Sequence, residues 1–206
     1  MPQQRKYTSA AERQAAYRER KRNSNSTHSS DAAVTFEEVF RAVPAKSSGD
    51  TNERYTPRWV LDAARQVLGR IDLDVASCEE AQRTVQATRY YTKADNALLR
   101  PWAGRVWCNP PYSDPLPWVK KLIEHYCAGE VSAALLLLNV AGKPQWAQLL
   151  WGSKYPVCLF SQRIEFLKPV GEAPDSNKNN SDQFVWYFGR RPGRFADVFG
   201  QYGVIR

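Results

Sequence analysis

The stretch Val106-Trp107-Cys108-Asn109-Pro110-Pro111-Tyr112 sets a short apolar run directly against two consecutive prolines. Proline has no N–H to give to a strand ladder, so a strand ending at Cys108 cannot run on through Pro110 and Pro111. The chain must leave the sheet at Asn109, with Asn109 and Tyr112 held in a stiff loop. Downstream, Trp118, Val119, Leu122, Ile123 and Tyr126 recur at helical spacing until Gly129, and Val131 to Val140 is almost continuously apolar. The second run reads as a strand covered on both faces. Strand, helix and strand in this order predict a right-handed parallel crossover and hence an α/β sheet.

Upstream of the loop the same alternation begins near Tyr55-Thr56-Pro57. Thr56 is placed as an N-cap and Pro57 as a first helical residue, followed by an apolar face of Trp59, Val60, Ala63, Ala64, Val67 and Leu68 that ends at Gly69. A capped helix start accounts for Tyr-Thr-Pro structurally. The functional account is that the Thr56 hydroxyl and the exposed N–H groups there receive a ligand carboxylate. Arg70 to Ala76 alternates like a strand and puts Asp74 at its carboxyl end, the mouth where α/β sheets bind ligands. No glycine-rich turn follows, so a phosphate-cradling loop is not supported, and an Asp at a strand end is also a common turn former. Asp95, in the polar turn after Tyr90-Tyr91, is a second acidic candidate, with an Asx turn as its bland explanation. After the long strand, a helix is expected over Lys143 to Trp151, and strands over Pro156 to Phe160, Arg163 to Leu167 and Phe184 to Phe188. Pro169 to Gln183 is polar and long, either disordered or a binding lid.

The 206 residues and 43% hydrophobic content suit one folded domain, taken as residues 51–206, preceded by an arm over residues 1–50. Residues 1–22 of that arm hold seven basic side chains against Glu12 and Glu19, a local net charge of +5 in a chain of net +8. A helix over Ala10 to Arg22, opened by the capping-box spacing Ser9 to Glu12, has little to bury and is marginal alone. The Ser- and Asn-rich residues 23–33 read as a linker, and a short helix at Phe36 to Val43 carries no chemistry. The arm is therefore expected to be partly disordered, either a solvated tail or a non-specific phosphate-binding segment. A basic chain without an amphipathic basic helix points to nucleic acid rather than to a membrane surface.

Cys78, Cys108, Cys127 and Cys158 are scattered without a Cys-x-x-Cys pair and read as buried thiols of a reducing, cytoplasmic compartment. With only His28 and His125, neither a metal site nor histidine acid–base chemistry is expected. The longest apolar run, Ala133 to Leu138, is far too short to span a bilayer.

An Asn-Pro-Pro-Tyr tetrapeptide at a strand end resembles the catalytic loop of methyltransferases that methylate planar amino nitrogens. Together with Tyr55-Thr56-Pro57, Asp72-Leu73-Asp74-Val75-Ala76, Tyr90-Tyr91 through Asp95, Gly104 to Tyr112 and Arg163-Ile164-Glu165-Phe166, it makes the chain similar to the phage-type DNA N6-adenine methyltransferases, the phage Dam methylases. The matching stretches run from about residue 53 to residue 188. The resemblance implies a Rossmann-like methyltransferase fold, S-adenosylmethionine as donor, and adenine of DNA, flipped from the helix, as acceptor. It places Thr56, Pro57, Asp74, Ala76 and Asp95 around the cofactor, Asn109, Pro110, Pro111 and Tyr112 at the target base, and Arg163 and Phe166 on the substrate side. Which of Asp74, Glu79 and Glu80 holds the donor stays open, because the first motif lacks the glycine-rich form of larger methyltransferases.

The chemistry fits those residue types. An adenine amine is a poor nucleophile because its lone pair is delocalised into the ring. The Asn109 side-chain oxygen and the Pro110 carbonyl can accept both N–H bonds and turn the lone pair toward the methyl, and Tyr112 can stack on the base. Methylation of RNA bases or of protein amides, and a non-catalytic DNA-binding role, remain as alternatives. No large recognition domain is present, so specificity is expected from Pro169 to Gln183, the basic Arg190-Arg191-Pro192-Gly193-Arg194 or the arm, with a short or relaxed target site.

Overall fold

A computed structural model describes residues 54–140, 145–167 and 182–206. The described residues form strands β1 (Leu73–Asp74), β2 (Arg89–Tyr90), β3 (Gly104–Cys108), β4 (Val131–Val140), β5 (Val157–Phe160), β6 (Asp182–Phe188) and β7 (Gly203–Ile205). The helices are α1 (Arg58–Leu68), α2 (Glu79–Val85), α3 (Leu116–Cys127), α4 (Gln145–Trp151) and α5 (Pro192–Phe199). All seven strands join one mixed sheet in the order β2-β1-β3-β4-β6-β5-β7. The first four are parallel, β6 runs antiparallel between β4 and β5, and β7 is antiparallel to β5.

The long apolar strand decides the layering. Side chains of β4 alternate across the sheet: Ala134, Leu136 and Leu138 pack with Val119 and Leu122 of α3 and Trp146 and Leu150 of α4, while Leu135 and Leu137 pack with α1, α2 and α5. Both faces are thus covered, which is why the run carries almost no polar residue. The order reverses at β1, with β2 on one side and β3 on the other, and a ligand crevice opens outside the carboxyl ends of strands at such a reversal. Asp74 and Asn109 stand at that edge, at the ends of β1 and β3.

A bidentate ion pair fixes β1 against β3. Arg105 donates from Nε and Nη2 to the Asp72 carboxylate at 2.7 and 3.0 Å, and its backbone N–H donates to the same group at 2.9 Å. This guanidinium holds the Asp72 carboxyl well below the usual carboxylate range. Gly104 lets the backbone approach: its φ is +79°, and a Cβ there would lie 3.0 Å from Asp72 Oδ2.

Several expectations need correction. Pro57, extended at φ −65° and ψ 150°, is itself the N-cap of α1, and Thr56 makes no capping bond. Trp59 stays 38% exposed, resting against Phe160 and Tyr202. Strand pairing in Arg70 to Ala76 is confined to Leu73–Asp74. Arg163 to Leu167 is not a strand: Leu167 alone bridges to Tyr55. Cys108 and Cys158 are buried, but Cys78 is half-buried and accepts from the Ala81 N–H at the start of α2, and Cys127 is exposed where the last turn of α3 faces outward. The sequence reading also lacked α5 and β7. The arm and most of Pro169 to Gln183 lie outside the described residues.

Candidate active site at the carboxyl edge of the sheet

β3 delivers the Asn-Pro-Pro-Tyr loop between two strands, with Trp107 beside Asp74 of β1 and Cys108 beside Leu136 of β4. Asn109 turns onto the α1 face. Its Nδ2 donates to Thr56 Oγ1 at 3.2 Å, and its Oδ1 accepts from the Tyr112 hydroxyl at 2.7 Å. Burial pushes the Tyr112 phenol well above its usual range, outweighing the opposite pull of the Arg54 charge and the Asn109 bond, so the hydroxyl remains a protonated donor. The Tyr112 ring meets Phe166 edge to face with centroids 5.9 Å apart. Next to Phe166, Leu167 exchanges backbone hydrogen bonds of 2.8 and 2.9 Å with Tyr55. Thr56, Asn109, Tyr112 and Phe166, from three separate parts of the chain, thus share one wall. Pro110 within it is buried and Pro111 is exposed.

Asp74 forms the neighbouring corner and is 2% exposed. Burial pushes its carboxyl up to about 7, against the lowering effect of hydrogen bonds from Ser77, the Ala76 N–H and Gln82. Gln82 Nε2 reaches Asp74 Oδ2 at 2.9 Å and Ser77 Oγ at 2.7 Å, while its Oε1 accepts from the Ala87 N–H. The carboxylate is therefore oriented by neutral groups, with no ion pair to a cation among the described residues. Such a site suits a cationic ligand group.

The other candidates fare differently. Glu79 and Glu80 occupy the first turn of α2, where the helix dipole favours acidic side chains, and Glu80 Oε2 accepts from the Tyr55 hydroxyl at 3.3 Å. Asp95 closes a capping box, its Oδ2 accepting from the Thr92 N–H and hydroxyl at 2.8 and 2.7 Å. No described contact joins Asp95 to the Asn109 wall. Arg163 is exposed at the same edge, one residue before buried Ile164.

One group was missed. Asn139 ends the α1-facing row of β4 and lies opposite Gln183 of β6. Gln183 is buried, and its Oε1 accepts from the Ile164 N–H at 2.9 Å. Asn139 Oδ1 is buried without a hydrogen-bond partner among the described residues. An amide directly after the apolar run Ala133 to Leu138 was the readable signal.

Among the described residues no cluster of three or more His, Cys, Asp or Glu side chains is arranged to hold a metal ion, and no helix is long and apolar enough to cross a membrane. The model of the family described as DNA N-6-adenine-methyltransferase (Dam) matches residues 45–194. The DNA N-6-adenine-methyltransferase of Haemophilus phage HP1 (strain HP1c1) is 33% identical over 137 residues, covering 65% of this chain and 76% of the relative. The DNA N-6-adenine-methyltransferase of Escherichia phage T1 is 41% identical over 151 residues, covering 63% of this chain and 60% of that protein. No solved structure gives a significant match. With a family match over more than half of its length, extending from before α1 into α5, the chain belongs to the DNA N-6-adenine-methyltransferase (Dam) family.

Proposed function

We propose that this Dam-family DNA adenine-N6 methyltransferase takes its methyl group from S-adenosylmethionine on a Rossmann-like sheet and receives a flipped adenine at Asn109, Pro110, Pro111 and Tyr112. The observation that carries the site assignment is the Asn109 carboxamide, held between Thr56 and Tyr112 where β3 leaves the sheet. The reversal of strand order at β1 supports the Rossmann-like assignment and a ligand crevice above Asp74 and Asn109.

Pro57, Asp74, Ala76 and Asp95 make the donor side, with Thr56 at the junction. The Asp74 carboxylate, buried without a cationic partner among the described residues, is matched to a positively charged donor. Bound there, S-adenosylmethionine supplies a methyl already activated by its sulfonium charge, so the protein's task is alignment rather than strong base catalysis. Asn109 Oδ1 has two lone pairs and can accept from the adenine amine while keeping the Tyr112 bond. The Pro110 carbonyl takes the second N–H, and the Tyr112 and Phe166 rings form the aromatic wall against the base. Arg163 reaches phosphate from the rim. Residues 1–50 add a basic arm that acts without sequence preference, and the enzyme works in the cytoplasm of a bacterial or phage-infected host cell.

The test is transfer of labelled methyl from S-adenosylmethionine to duplex DNA, single-stranded DNA and RNA, comparing the wild type with Asn109→Ala. DNA is labelled by the wild type, and the variant loses transfer while still binding the donor. Equal labelling by both proteins removes Asn109 from the mechanism. Preferential labelling of RNA replaces the acceptor.

A further inference from the structure

The carboxamide of Asn109 is useful toward an amine in only one of its two orientations. Its Oδ1 accepts hydrogen bonds and its Nδ2 only donates them, so half a turn about the last side-chain torsion would set an NH2 against the N–H bonds of the substrate. Two contacts hold the productive orientation. The Tyr112 hydroxyl lies 2.7 Å from Oδ1, a separation typical of O–H···O, and Thr56 Oγ1 lies 3.2 Å from Nδ2, which suits N–H···O. Thr56 is 4% exposed, so water cannot readily replace it as the acceptor. The hydroxyl makes no capping bond to α1, leaving the bond to Asn109 as its described role.

We propose that Thr56 is a positioning residue for the acceptor side: by accepting from Nδ2 it fixes the Asn109 oxygen toward the target amine. This rests on the reading of Asn109 given above and moves Thr56 from the donor's contacts to the orientation of the base. The backbone serves the geometry, since Pro57 rather than Thr56 caps α1 and the hydroxyl is free of the usual capping duty.

The variants are Thr56→Val, which keeps the shape and removes the acceptor, and Thr56→Ser, which keeps the hydroxyl. On duplex DNA with saturating donor, Thr56→Val is expected to lower kcat about ten- to hundredfold with KM and donor affinity little changed, and Thr56→Ser to restore most of it. Asn109→Asp supplies a second test, because a carboxylate has two equivalent acceptors and no wrong orientation. In that background Thr56→Val is expected to cost less than about threefold. A third readout needs no activity: the side-chain amide NMR signals that vanish in Asn109→Ala should shift and exchange faster in Thr56→Val. Should Thr56→Val not fold, Thr56→Ala carries the same expectations.

A Thr56→Val enzyme with normal kcat and weakened donor binding overturns the inference and returns Thr56 to the cofactor. Unchanged Asn109 amide signals overturn it as well. Full activity of Asn109→Ala would instead sink the site assignment itself.

Discussion

Burial brings the titration of the Asp74 carboxyl close to neutral pH. An unfolded chain ionises it at about pH 4, whereas burial in the folded protein pushes it up to about 7. The folded state therefore binds the proton more tightly. The resulting stability is complete below about pH 4 and is lost as pH rises through about 7. Asp74→Asn keeps the shape and abolishes the titration, so the unfolding free energy of the wild type measured in urea should fall between about pH 5 and 7.5 by up to about 1.4 kcal/mol per pH unit, while that of the variant stays flatter. A cationic donor beside this group reverses the preference. At about pH 6 its binding should release up to about one proton, measured by calorimetry in buffers of different ionisation heat, and binding without proton release would place the donor's charge elsewhere. Asn139 presents the opposite problem, a buried acceptor with no donor among the described residues. Asn139→Leu removes that acceptor at similar size and should raise the urea midpoint by the equivalent of about 1 kcal/mol, whereas a lower midpoint would mean that the amide has a stabilising partner.

Among the elements, β3 begins at a backbone position that only glycine suits. Gly104→Ala forces a side chain into φ +79° and against the Asp72 carboxylate, so a loss of about 1–3 kcal/mol is expected in chemical denaturation. The same pair makes β1 and β3 acid-sensitive: the Asp72 carboxyl, lowered by Arg105, supports the fold above its unfolded titration and ceases to as pH falls through its depressed folded one. Elements with many periodic residues were legible in the sequence. The β3–α3–β4 unit and the apolar face of α1 follow from spacing alone because each buries a continuous stripe. Arg163 to Leu167 shows the limit. Its alternation is real, with Ile164 buried and Arg163 and Glu165 exposed, yet the Ile164 N–H is taken by the Gln183 side chain rather than by a strand. Thr56 was misread for a related reason. Local capping rules describe neighbours, and its hydrogen-bond partner lies 53 positions away in the sequence.

Over the whole molecule, the sheet separates two groups of arginines that the sequence could not tell apart. β6 runs antiparallel to β4, so Phe188 pairs with Ala134 at the amino edge and Arg190 and Arg191 follow there, opposite the Asn109 loop. Arg194 confirms the direction by donating to the Gln66 carbonyl near the end of α1. The run Arg190 to Arg194, expected to take part in target recognition, therefore stands at the far edge from the candidate site. Replacing Arg190 and Arg191 by Ala should leave kcat and the methylated sequence unchanged. Arg163→Ala, at the cleft, should weaken DNA binding and reduce the salt slope by about one. The wall carrying Phe166 has a further consequence. It is tied to the segment bearing Thr56 by an isolated bridge, Tyr55 to Leu167, rather than by an extended ladder. Two backbone hydrogen bonds, each worth about 1 kcal/mol net, set a low threshold for local opening compared with the ladder between β4 and β6. The amides of Tyr55 and Leu167 should thus exchange with deuterium well before those that pair β4 with β6. A wall pinned at a single bridge should therefore open locally while the ladder between β4 and β6 stays closed.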